Sequence, residues 1–180
     1  EWFEREHQMT NYTILKSNDD WDRKENSSGT AHTSNSDLTV NNKEIKTTSI
    51  RSNDALGMLN ELFRSIDSND VNRIKELIDI EYTAKFLALH TLSNNSHSVT
   101  GDNLKYVYDH TSGKFKFIYR IEDTINPISN SLENFNSSWF LSYMVPSKNL
   151  DLFRLLLKDS EFRYLRDKYL MQLVTNKQEL

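Results

Sequence analysis

The fold is decided by the stretch from Gly101 to Asp123, which reads GDNLKYVYDHTSGKFKFIYRIED. Two alternating, aromatic-rich segments flank a five-residue turn that ends at Gly113, and this pattern predicts a β-hairpin over residues 103–119. Because side chains alternate between the two faces of a strand, each strand presents one apolar row, and both rows are expected to be buried together. The rows are Leu104, Tyr106 and Tyr108, and Phe115, Phe117 and Tyr119.

A group of acidic and amide side chains is expected at the open end of this hairpin. Antiparallel pairing places the residue that enters the first strand beside the residue that leaves the second, so Asp102 and Asn103 should lie near Glu122 and Asp123. Carboxylate and amide oxygens are the ligands that Mg²⁺ and Ca²⁺ prefer. Such residues are also common at strand ends for solubility and turn formation, so a metal or catalytic site and a solvated strand end are both open interpretations.

Composition limits the classes of protein to which the chain can belong. Its 180 residues suffice for one domain with a sizeable core, and 37% hydrophobic with 11% aromatic residues indicates a folded chain. A net charge of -4 argues against nucleic acid as a partner, because binding to phosphates needs a basic surface. No apolar run is long enough for a transmembrane segment. The absence of Cys excludes disulfides, thiolate catalysis and Cys-ligated zinc.

The first 49 residues carry little regular pattern. Glu1–Gln8 is predicted to be a short helix and Tyr12–Lys16 a strand. Residues 22–49 are rich in Ser, Thr, Asn and Lys, and we expect a long polar loop or a disordered insertion there, because few apolar side chains offset the entropy of ordering. The chain begins with Glu rather than Met, which indicates a processed product or part of a longer protein.

Helical spacing of apolar residues dominates the rest of the chain. Asp79 is predicted to cap a helix over Ile80–Leu92, which is apolar on most sides and is expected to be the central helix, packed against the hairpin and a carboxyl-terminal helix. Within it, His90 is interpreted as a buried core histidine rather than a ligand. Two later helices, separated by a cap at Asp159 or Ser160, complete a mostly helical α+β fold.

Four segments, which together extend over roughly residues 50–175, carry a resemblance to a known family. They read LIDIEYTAKFLALH (77–90), GDNLKYVY (101–108), SGKFKFI (112–118) and LLLKDSEFR (155–163). Their order resembles the catalytic segment of protein-kinase-like enzymes, and more specifically the spore-coat protein H (CotH) family of atypical kinases. The resemblance implies that residues 50–180 are the larger lobe, with the hairpin at its centre, and that residues 1–21 are the end of the small lobe or the lobe connection.

The resemblance also implies an activity and its site. A member of this family would transfer phosphate from ATP to Ser or Thr of a surface or spore-coat protein, with Mg²⁺ bound, and would be secreted to the cell envelope or spore surface. Asp102 would orient the acceptor hydroxyl and Asn103 would support the nucleotide site. The family follows its hairpin with a Trp-Asp-x-Asp step, whereas this chain has Arg120-Ile121-Glu122-Asp123, so Glu122 and Asp123 would hold the metal.

Other functions stay open at this point. The upstream strands that would supply a phosphate-clamping Lys are not found in these residues, so Mg²⁺-ATP binding by this chain alone is expected to be weak or absent. A non-catalytic coat or envelope assembly module, or a surface-binding module of the same fold, is the alternative. Four sequons, which begin at Asn11, Asn26, Asn94 and Asn136, are either glycosylation sites or chance triplets in a chain rich in Asn and Ser.

Overall fold

The computed structural model describes residues 9, 11–17, 38–40, 50–93, 104–118 and 148–175. These residues form four strands and five helices, which confirms the predicted α+β class. In chain order the elements are β1 (Tyr12–Ser17), β2 (Leu38–Val40), α1 (Ile50–Asp67), α2 (Val71–Leu77), α3 (Ile80–Ser93), β3 (Lys105–Asp109), β4 (Lys114–Ile118), α4 (Lys148–Lys158) and α5 (Ser160–Thr175).

The strands form one antiparallel sheet in the order β2-β1-β3-β4. The predicted hairpin supplies β3 and β4, and the predicted strand near the amino end is β1, whose residues Tyr12 to Lys16 pair with all of β3. β3 is therefore an inner strand rather than one half of an isolated hairpin. This arrangement matters because two strands alone are only marginally stable in water.

β2 lies within residues 22–49, for which the sequence predicts a long polar loop or a disordered insertion. Within that segment, Leu38–Val40 form a strand that pairs with β1 from Leu15 to Ser17. The pairing satisfies main-chain groups at the edge of β1, and the sequence Leu-Thr-Val has a high strand propensity. The other residues of 22–49 and the predicted Glu1–Gln8 helix lie outside the described residues.

Aspartate side chains cap the amino ends of three helices. Asp70, Asp79 and Asp159 each accept a hydrogen bond through Oδ1 from the amide three residues later, at 2.8 to 3.0 Å. These contacts satisfy amides that have no partner within the helix. They confirm the predicted cap at Asp79. They also show that Asp159, rather than Ser160, caps α5.

α3 is the central helix, as the sequence predicts. It packs mainly against α5 and also against β4. The ring centroid of Phe86 lies 5.4 Å from that of Phe117 and 5.9 Å from that of Phe153, so α3, the hairpin and α4 share one aromatic core. His90 is fully buried, with its ring 4.4 Å from Phe86, and its predicted place in the core is confirmed.

The sheet has apolar side chains on both of its faces. One face joins the helices in the main core, and the other carries a smaller group in which Val107 and Met9 are buried beside Tyr12, Ile14 and Ile118. Within the described residues, no helix combines the length and apolar character that crossing a membrane requires.

Candidate functional site

The hairpin buries the two apolar rows together, as predicted. Tyr106 pairs with Phe117 and Tyr108 with Phe115, and none of these four side chains is more than 6% exposed. The ring of Tyr106 meets those of Phe117 and Phe63 at steep angles, with centroids 5.5 and 5.9 Å away. The hairpin is thus held rigidly against the helices. The last predicted member of the rows, Tyr119, lies outside the described residues.

The turn of the hairpin is stabilised by hydrogen bonds to Asp109 and by a glycine. Gly113 has a φ of 69°, a left-handed conformation that side chains disfavour, and its amide donates to the Asp109 carbonyl oxygen at 2.8 Å. The Asp109 carboxylate accepts from the Thr111 amide and the Ser112 hydroxyl, both at 2.9 Å. Burial disfavours the charged form of Asp109, but these hydrogen bonds outweigh it and lower the pKa of the carboxyl.

The open end of the hairpin is where the sequence places the candidate site. The described ladder ends at the pair Lys105 and Ile118, and Leu104, just before it, is fully buried. The predicted site residues lie outside the described residues: Asp102, Asn103, Glu122 and Asp123. The described structure gives the two strand ends that these residues adjoin in the sequence.

Two hydrogen bonds attach this end of the hairpin to neighbouring helices. The Tyr82 hydroxyl of α3 donates to the main-chain carbonyl oxygen of Phe117 at 2.8 Å. The Tyr106 hydroxyl donates to the side-chain oxygen of Asn149 in the first turn of α4, and both residues are fully buried. Phe117 and Tyr106 pair with each other next to the end of the ladder. Both α3 and α4 are therefore attached to this end of the hairpin.

The edge of β4 is covered by the linker between α2 and α3. Ile78 forms a parallel bridge with Phe115, and the Asp79 amide donates to the Phe115 carbonyl oxygen at 2.8 Å. Nζ of Lys116 lies 3.8 Å from a carboxylate oxygen of Asp79 and 3.8 Å from one of Asp109. This ammonium group joins the cap of α3 to the hairpin turn, and we assign it a structural role.

His110 forms a polar cluster at the turn that the sequence did not predict. Its Nε2 lies 2.9 Å from Oγ1 of Thr13 on β1, and its Nδ1 lies 3.5 Å from Oδ2 of Asp54 on α1. Its amide donates to the Asn11 carbonyl oxygen at 2.9 Å. Thr13 and His110 are 97 residues apart, so no local sequence pattern could have indicated the contact.

The order of hydroxyl, imidazole and carboxylate in this cluster is that of a hydrolase triad, but its surroundings do not fit that chemistry. A nucleophile must reach a substrate carbonyl, and Thr13 is only 3% exposed. The imidazole instead joins the turn to β1 and α1. We therefore interpret this cluster as a structural contact between three elements.

The described residues form no group of potential metal ligands. Among residues 9, 11–17, 38–40, 50–93, 104–118 and 148–175, no three His, Cys, Asp or Glu side chains are grouped as a metal site would need. The predicted ligands Glu122 and Asp123 are not among these residues.

The chain has no significant match to a protein-family model, to a curated protein or to a solved structure.

Proposed function

We propose that this chain is the larger lobe of an atypical protein kinase similar to the spore-coat protein H family. It would transfer the γ-phosphoryl group of ATP to Ser or Thr of a surface or spore-coat protein at the cell envelope or spore surface. The observation that carries the proposal is the β3–β4 hairpin, which packs on α3 and whose ladder ends at Lys105 and Ile118, near the two acidic segments in the sequence. The resemblance of the four sequence segments supports the same assignment.

The register of the hairpin supports a particular arrangement of the acids. Continued in the same register beyond Lys105 and Ile118, the ladder would pair Asp102 with Ile121. Glu122 and Asp123 would then follow one and two residues after the partner of Asp102. On an extended segment these two side chains point in opposite directions, so one of them faces the site. We favour Asp123, because it stands where the family has its second acid.

Each residue has a distinct task in this proposal. Asp102 would accept a hydrogen bond from the acceptor hydroxyl and orient it toward the phosphorus atom, and Asn103 would support the nucleotide site. Asp123, with Glu122 beside it, would hold the metal through hard carboxylate oxygens. When bound, Mg²⁺ supplies the positive charge that neutralises the nucleotide phosphates.

The test is phosphoryl transfer by the full-length protein, with Asp102→Asn, Asp123→Asn and Glu122→Gln compared with the wild type. Asp102→Asn is expected to abolish transfer and leave nucleotide binding largely intact, because an orienting acid acts on the transition state. Asp123→Asn is expected to weaken the Mg²⁺-dependent part of nucleotide binding, and Glu122→Gln to do so less.

A matched control is Glu76→Gln, because Glu76 is an exposed acid of α2 that forms a surface ion pair with Arg73 at 2.7 Å. It should leave transfer and Mg²⁺ response unchanged. If the three site variants behave like this control, the kinase assignment is wrong at this site. A non-catalytic coat or envelope assembly module, or a surface-binding module, then becomes the better assignment.

A further inference from the structure

Among the described residues, the exposed large apolar side chains all lie on α5. Tyr164, Met171 and Val174 are 74%, 60% and 39% exposed. Tyr164 and Met171 are seven residues apart, close to two turns of about 3.6 residues each, so they lie on the same side of the helix. Val174 follows at the edge of this side. Single exposed apolar residues are ordinary, but a row on one helix indicates a contact surface, and we call these three residues the α5 stripe.

The α5 stripe points away from the core of the protein. α5 packs against α3 and α4 through its opposite side. The buried residues of that side are Phe162, Arg166 and Leu170. They lie about 160 to 240° around the helix from Tyr164. The core contacts of α5 therefore leave the stripe exposed.

Exposed charges of both signs flank the stripe. Glu161 and Lys168 lie along one of its edges, and Arg163 and Asp167 lie along the other. Each edge therefore carries one acid and one base, and neither edge has an excess of one sign.

All four charged groups retain capacity for a further partner. Among the described residues, Arg163 and Lys168 have no carboxylate within ion-pair distance. Oε2 of Glu161 pairs with Lys75 at 3.1 Å, and the Glu161 side chain is 84% exposed. Oδ1 of Asp167 contacts the neighbouring guanidinium group at 2.6 Å, and the Asp167 side chain is 53% exposed. In each carboxylate, the second oxygen is not used by these contacts.

Two antiparallel copies of α5 bring these charges into opposite pairs. In such a pair, each edge of one helix lies beside the same edge of the other helix, in reverse order. With the two-fold axis beside Tyr164, Glu161 of one copy faces Lys168 of the second copy, and Arg163 faces Asp167. Symmetry repeats each pair, and the two Tyr164 rings meet at the axis. The antiparallel orientation also opposes the two helix dipoles.

The charges also select this register over the nearest alternative. A two-fold axis midway between Tyr164 and Met171 would place these two side chains against each other across the interface. It would also bring Asp167 beside Asp167 and Lys168 beside Lys168 of the second copy. Like charges at these positions would repel.

We propose that α5 is a self-association surface, on which two copies of this chain pair antiparallel through the α5 stripe. α5 has 16 residues and is therefore about 24 Å long. A contact formed by one helix from each copy is small compared with stable dimer interfaces, so the dimer is weak and depends on concentration. This proposal is independent of the kinase assignment, since it uses none of the hairpin residues.

The experiment is sedimentation equilibrium of the full chain, over concentrations from the micromolar to the millimolar range. The mass of the wild type is expected to rise toward twice that of one chain. Tyr164→Ala should raise the dissociation constant about tenfold, because it removes the central aromatic contact. Lys168→Glu should raise it by a similar factor of about ten, because two attractive pairs become repulsive.

Arg64→Glu is the matched control for Lys168→Glu. Arg64 lies on α1 with its side chain 68% exposed, and its replacement changes the net charge by the same amount. This variant should associate as the wild type does. The substituted side chains are exposed, and thermal unfolding of each variant verifies that it is folded.

A charge exchange tests the pairing itself. Glu161→Lys alone should weaken association, and the double variant Glu161→Lys with Lys168→Glu should restore it, because the exchanged charges still face each other. In a parallel pair, Lys168 would face Asp167 of the second copy, and the double variant would stay weak.

Three results would overturn the proposal. A wild type that is monomeric at every concentration would leave the stripe to a different protein. Association of Tyr164→Ala equal to that of the wild type would place the contact elsewhere on the chain. Failure of the double variant to recover would exclude the antiparallel pairing.

Discussion

The hydroxyl group of Tyr82 on α3 donates a hydrogen bond of 2.8 Å to the main-chain carbonyl oxygen of Phe117 on β4. This contact joins the central helix to the end of the hairpin from which the candidate site segments depart. Burial, with a smaller contribution from the nearby Asp79 carboxylate, raises the pKa of the Tyr82 phenol to about 12. The Tyr82 phenol is therefore uncharged in the folded protein at neutral pH.

Tyr82→Phe should lower the free energy of unfolding by about 1 kcal/mol, because it removes one partly buried hydrogen bond. Urea denaturation at neutral pH measures this loss. Tyr164→Phe is the control, since the Tyr164 side chain is largely exposed, and it should change stability by less than half as much. Equal losses in the two variants would contradict a specific role for the Tyr82 hydroxyl.

The same variant should change the response to alkali. Because the phenol pKa is higher in the folded than in the unfolded protein, its contribution is complete below about pH 10 and is lost as pH rises through about 12. The wild type should therefore lose more stability than Tyr82→Phe across this interval. Parallel stability curves for the two proteins would show that the phenol does not titrate as we infer.

Phe86→Ala should lower the free energy of unfolding by about 3 to 5 kcal/mol, as expected for a cavity in a well-packed core. Phe86 is 4% exposed and contacts aromatic rings from the hairpin and from α4. Met171→Ala, at a position 60% exposed, should cost far less in the same denaturation experiment. A loss below about 1 kcal/mol for Phe86→Ala would mean that α3 is peripheral.

Two substitutions at Asp159 should separate capping from charge. Asp159→Ala should lower the free energy of unfolding by about 1 kcal/mol, because it removes the cap. Asp159→Asn should lower it by less, because Asn also caps helices. What Asn removes is the carboxylate that pairs with Lys75. The Phe162 amide and then Lys75 lower the pKa of Asp159 from its ordinary 3.8. The charge-dependent part is therefore complete above about pH 4 and is lost as pH falls through the lowered value.

Thermal unfolding at several pH values measures these differences. Asp70 provides the control, because it caps α2 in the same way and has no basic side-chain partner among the described residues. Asp70→Asn, which keeps an amide oxygen at the cap, should therefore cost less stability at neutral pH than Asp159→Asn. If the two variants cost the same, the ion pair with Lys75 adds nothing to stability.

Thr13→Val should lower stability by about 1 to 3 kcal/mol, because it replaces a buried hydroxyl beside the His110 imidazole with a methyl group of the same size. Thr111→Val serves as the control, since Thr111 is exposed in the hairpin turn. Chemical denaturation of both variants compares the two sites. A neutral Thr13→Val would show that the contact between β1 and the turn is dispensable.

Much of the fold was accessible from local patterns. The aromatic rows predicted β3 and β4, the three-and-four spacing predicted the helices, and the sequence predicted one cap at Asp79 and another at Asp159 or Ser160. The candidate site was predicted at the open end of the same hairpin, and its four residues lie outside the described part of the chain. The β2 strand was missed because its short apolar sequence lies within a long polar segment.

The sequence by itself determined the hairpin, the helices and the cap at Asp79, because each depends on spacings of two to four residues, within which side-chain periodicity and capping act. Only the tertiary structure decided that β1 completes the sheet beside β3, that His110 joins Thr13 to Asp54, and that Lys75 meets two acids at the start of α5. Contacts between residues far apart in the chain leave no periodic trace in the sequence, since they arise only when packing of the core brings the elements together.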